Sequence, residues 1–189
     1  MTSDTDNETT TAAYAAVEKA ATGLRELYAP SVLDEAAALL ADLWAAGGRH
    51  GVGRSEWGWA VDLASGALSV IARRYTDAPD PERTGDQVLA LRRDLVEALN
   101  SPETGLSARP GSRTMTVVDR LPATPRGGLH GDASLVVGIY ANGGWDISMN
   151  AHGATVVTIA APATTAGAAE VAALVRAVAR GERGNPFRR

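Results

Sequence analysis

The residues best suited to chemistry fall in two glycine-rich stretches and a turn. Gly48 to Ser55 reads GRHGVGRS, which fits the phosphate-loop pattern GxxxxGK[ST] except that Arg54 stands where the lysine belongs. In such loops backbone N–H groups and the N-terminus of a following helix cradle phosphate oxygens, and a strand leads in. Gly48, Gly53, Arg54 and Ser55 are thus the candidate cofactor-binding residues. Arg54 counts against them, because a planar guanidinium replaces a compact ammonium poorly in a tight loop. The other reading of this stretch is a helix end running into a linker.

His130 and Asp132 lie in the loop LPATPRGGLHGD, and His152 stands at a later Gly turn. A His–Asp pair can move a proton, and two His with a carboxylate can hold a metal. These three are the candidate catalytic residues, with Asp146 beside Trp145 as a further carboxylate. Their spacing matches no signature such as HExxH or GxSxG. Histidine and aspartate are also ordinary turn residues. No metal site and no cofactor are assigned. Trp57, Trp59 and Trp145 could line a ligand pocket, but tryptophans at period two more often form the core face of a sheet.

These groups need elements to position them. Two segments read alike, GWAVDLASGALSVIA (58–72) and GWDISMNAHGATVVTIA (144–160). Each opens on Gly-Trp, alternates apolar and polar, turns at Gly and precedes an amphipathic helix. Strict alternation through Trp57, Trp59, Val61 and Leu63 predicts a hairpin over Trp57–Tyr75. A rival helix face runs through Trp57, Val61, Ala64, Leu68, Ile71 and Tyr75. The second segment extends a meander in which 134–140 is a strand and Asn142-Gly143 a hairpin turn.

Helical spacing is expected over 11–28, from Ser31 to the Gly47-Gly48 pair, over 86–99, and after a Thr164 or Thr165 cap with Gly181 at the far end. A short strand is expected at 114–118 and a loop over 100–111. Together these predict an α+β fold. An N-terminal αα-hairpin leads into a mostly antiparallel sheet of five or six strands. Two hairpin-plus-helix units build the sheet, and helices cover one face. Residues 1–10 read as a disordered acidic tail, 11–181 as one domain and 182–189 as a polar basic tail.

Bulk composition narrows the classes. A chain of 189 residues can bury a full core without staples, and having no cysteine it holds neither a disulfide nor a thiolate site. Net charge is -4, and the basic residues, 17 of 18 of them arginine, look like the bias of GC-rich coding. Nucleic-acid binders carry a denser positive footprint. A DNA-binding regulator would need helix–turn–helix geometry near Arg73 and Arg74. The acidic N-terminus MTSDTDNETTT is unlike a signal peptide, and no apolar run reaches a membrane span. A cytoplasmic location without membrane contact is therefore expected. Asn185-Pro186-Phe187 resembles a short docking peptide or a frayed tail.

The expected function is a non-catalytic binding or accessory protein that contacts a protein partner or its own copy. The alternatives are a small enzyme, or a nucleotide- or metal-dependent protein, using the 48–55 loop or the His130/Asp132/His152 loops.

Overall fold

Ala60, Ala64, Ala67, Leu68, Ile71 and Ala72 are buried at spacings of three and four residues, and Trp57–Thr76 is one continuous helix. This computed structural model describes residues 3–22, 24, 26–47, 56–76, 85–101, 105–111, 115–120, 135–139, 144–149 and 156–183. Its element order is α1 (Ser3–Thr22), β1 (Leu27–Tyr28), α2 (Pro30–Ala46), α3 (Trp57–Thr76), α4 (Gly85–Leu99), β2 (Leu106–Pro110), β3 (Met115–Arg120), β4 (Leu135–Ile139), β5 (Trp145–Met149), β6 (Val156–Ala160) and α5 (Thr165–Arg180). The α+β class holds, with a six-stranded mixed sheet.

The hairpin expected over Trp57–Tyr75 is corrected to the helix α3. Its four buried alanines and its leucines favour helix, whereas the second Gly-Trp segment carries the β-branched run Val156, Val157, Thr158 and Ile159. Gly66, read as a turn, lies in mid-helix. Strands β2 to β6 therefore form one meander, with β1 added beside β6, in place of two hairpin-plus-helix units.

The chain forms two compact units within the span read as one domain. The first comprises residues 1–24 and 30–74. In it α1 and α2 pack against each other, with β1 between them in the chain. Ala13, Ala16, Val17 and Ala20 of α1 are buried, as are Ala36, Ala37 and Leu40 of α2. Small side chains of this kind let two helices approach closely. α1 begins at Ser3, inside the stretch read as a disordered tail, and ends at Thr22 rather than Tyr28. α2 opens on Pro30, whose fixed φ and missing N–H suit a first helical position.

The second unit comprises 25–29 and 75–189. Its sheet order is β1-β6-β5-β4-β3-β2, with β1 parallel to β6 and every other pair antiparallel. Two of its strands were not expected. Leu27–Tyr28 was assigned to a helix, and Leu106–Pro110 to a loop. β2 is an edge strand, and Asn100 clamps its middle. The Asn100 Nδ2 donates to the Ala108 carbonyl at 2.8 Å, and the Ala108 N–H donates to Asn100 Oδ1 at 2.7 Å. That pair of hydrogen bonds occupies part of an edge otherwise open to a further strand.

The register places Ala108, Val118 and Leu135 on one side of the sheet, with Thr116, Val137, Ile147 and Val157, and with Ile139, Trp145 and Ile159. All are buried. α4 lies against β2 and β3 and packs along α5. The two helices are tied by the Thr165 hydroxyl donating to Asp94 at 2.8 Å and by Arg176 donating to the Ala98 carbonyl at 3.2 Å. α5 is capped as expected: Thr164 Oγ1 accepts from the Gly167 N–H at 3.1 Å, and Gly181 adopts φ 72°.

Among the described residues two polar groups are buried without a hydrogen-bond partner, the Trp44 indole N–H and the Thr116 hydroxyl. An unpaired buried hydroxyl costs about 1–3 kcal/mol. Thr116→Val keeps the branched shape a strand favours and removes that group. It is expected to raise stability by roughly 1 kcal/mol in a urea titration.

Candidate functional site

The side of the sheet opposite the helix-covered one is only partly covered. One cross-strand row runs Arg109, Val117, Val136, Ser148 and Val156, through β2, β3, β4, β5 and β6. A second row runs Met115, Gly138, Asp146 and Thr158. Neighbouring strands stand about 4.8 Å apart, so each row crosses roughly 15–20 Å. Met115 is 44% and Val156 57% exposed, while Val117, Val136, Ser148 and Asp146 are half-buried. At one margin Arg109 reaches Asp119 at 3.4 Å, an exposed ion pair of small energetic weight. At the other margin Tyr28 and Ala160 are buried. The Tyr28 hydroxyl donates to Glu26 Oε2 at 2.6 Å. Burial, and then that carboxylate, push the hydroxyl's pKa above its ordinary range.

Asp146 is held in place by a glycine. Its Oδ1 accepts the Gly138 N–H at 3.0 Å, directly across from it on β4. A Cβ on residue 138 would overlap that same oxygen. Gly138→Ala must therefore turn the carboxylate away and break the bond. The expected destabilisation is about 1–2 kcal/mol. A double-mutant cycle with Asp146→Ala checks it: much of the alanine's effect should vanish once the carboxylate is gone.

The residues singled out for chemistry in the sequence, Gly48, Gly53, Arg54, Ser55, His130, Asp132 and His152, lie outside the described residues, as does Asn185 to Phe187. Trp145 is a core residue, 1% exposed, whereas Trp57 is half-buried and Trp59 is 42% exposed on α3. Arg73 and Arg74 fall in the last turn of α3, and Arg74 approaches Glu35 at 3.8 Å. Recognition helices read base edges from their N-terminal residues. In α3 that end carries Trp57, Gly58 and Trp59. Among the described residues no group of three His, Cys, Asp or Glu could hold a metal ion, and no helix is long and apolar enough to cross a membrane.

The open row of Val117, Val136 and Val156 was missed in the sequence. Alternation alone says which residues of one strand share a side. Only the register between strands assembles them, and β2 with its Arg109 was not read as a strand. No protein-family model, curated protein or solved structure matches the chain.

Proposed function

We infer that this is a small binding or accessory protein that works through contact with a protein partner, without catalysis of its own. One observation carries the reading. The second unit presents a sheet side on which exposed Met115 and Val156 bracket half-buried Val117 and Val136, with a charged pair at the margin. Apolar side chains set among polar ones, as here with Ser148 and Asp146 between Val136 and Val156, match the mixed composition of non-obligate protein interfaces. Strand side chains on a paired sheet are also pre-ordered, so little side-chain entropy is lost on binding. The test is quantitative affinity capture from native cell extract, comparing wild type with Met115→Glu and Val156→Glu. A protein retained by wild type and lost by both variants, at unchanged melting temperature, supports the reading. Equal retention by all three contradicts it.

A second reading has one structural observation in its favour. The stretch 48–55 is followed by a helix, as the phosphate-loop pattern requires, since α3 is helical and not a strand. α2, a helix, precedes the loop where that pattern has a strand. Calorimetry with a magnesium nucleoside triphosphate tests this reading. Heat of binding that disappears in Arg54→Ala would favour a nucleotide-dependent protein. The same titration with zinc addresses His130, Asp132 and His152.

A further inference from the structure

The exposed side of α3 is centred on a glycine that the chain itself does not explain. At 100° per residue, Trp59, Gly66, Val70 and Arg73 fall within an arc of roughly 60°, opposite the buried Ala64, Leu68 and Ile71. Trp59 is 42% and Val70 53% exposed, and Leu63 beside them is half-buried. Glycine is the poorest helix former after proline, yet Gly66 sits in the middle of this 20-residue helix. It does not have a positive φ, and among the described residues no atom stands within 4 Å of where its Cβ would be. Neither backbone conformation nor packing among the described residues calls for glycine here. A glycine on an exposed apolar stripe lets a second helix come close.

We propose that α3 pairs antiparallel with α3 of a second copy of this chain, crossing at Gly66. The charge pattern selects both the occupant and the direction. Glu56 and Asp62 lie at or near the N-terminal end, and Arg73 and Arg74 lie in the last turn. Two copies side by side in the same direction would set like charges together. Antiparallel copies bring Arg73 within a turn of the second copy's Asp62 and Val70 towards its Leu63, and they align the helix dipoles favourably. A helix of this length spans about 30 Å. Alone it buries less than the roughly 1,200–2,000 Å² of a standard stable interface, so the dimer is weak and concentration-dependent. This surface belongs to the first unit and the open sheet side to the second, and the two proposals stand or fall independently.

Sedimentation equilibrium tests it on the full chain, from about 10 μM to about 1 mM. The wild-type mass should climb from 19.5 kDa towards twice that value. Gly66→Gln should stay monomeric and melt no lower than wild type, because its new side chain enters open space. Val70→Asp should likewise stay monomeric. Asp62→Arg and Arg73→Asp should each weaken association about tenfold, and together restore it. A wild-type mass of 19.5 kDa at every concentration overturns the proposal. So does a dimer that ignores Gly66→Gln and Val70→Asp, or one that the double charge reversal leaves weakened. Met115→Glu should not change the mass.

Discussion

Replacing Gly167 by alanine should destabilise the second unit by about 3 kcal/mol, although alanine is the better helix former. Gly167 lies in the first turn of α5, and a Cβ there would overlap the carbonyl oxygen of Pro162. The obstacle is backbone, which cannot swing aside as a side chain can. The same carbonyl accepts the Trp145 indole N–H at 3.3 Å, and the Gly167 N–H is bonded to the Thr164 cap. Moving Pro162 or tilting α5 therefore disturbs the cap, the tryptophan and the helix seat together. Gly66→Ala is the control. It sits in open space on α3 and should stabilise by about 0.5–1 kcal/mol, the propensity difference alone. Urea titrations of both variants check the pair. A Gly167→Ala protein as stable as wild type would mean that α5 is not seated against Pro162.

Trp145→Ala should cost about 3–5 kcal/mol, while Trp59→Ala should stay within about 0.5 kcal/mol in the monomer. Both tryptophans follow a glycine in the two look-alike segments, and their surroundings differ completely. Trp145 is 1% exposed, lies level with Ile139 and Ile159 on the helix-covered side of the sheet, and is hydrogen-bonded to Pro162. Its loss removes a large apolar surface and leaves a cavity beside the start of α5. Trp59 is 42% exposed on a helix. Thermal melts of dilute protein separate the two. Similar losses for both would contradict the assignment of one segment to helix and the other to sheet.

The elements legible in the sequence were those specified locally. β4, β5 and β6 announce themselves by alternation, α4 by its leucine spacing, and α5 by Thr164 and Gly181 at its ends. β1 and β2 depend on distant partners. Leu27–Tyr28 is a strand only because it lies beside Ile159 and Ala160. Leu106–Pro110 needs β3 on one side and the Asn100 clamp on the other. The first Gly-Trp segment carries two periods at once, and its likeness to the second favours the strand period over the helical one it adopts. Its alanines were the better guide, since they mark a face packed closely at helical spacing. The candidate interface was legible only in part. β4 and β5 show their own alternation and β2 reads as loop, and the row from Arg109 to Val156 exists only through pairings between strands.

Hydroxyl-radical footprinting tests the central claim most directly, read at Met115 with and without the protein captured from native extract. Met115 is 44% exposed on the open side of the sheet, and its thioether oxidises readily. Strong protection of Met115 together with Val156 when the partner is bound is the expected result. Unchanged oxidation at both positions in the bound state would contradict an interface on this side of the sheet.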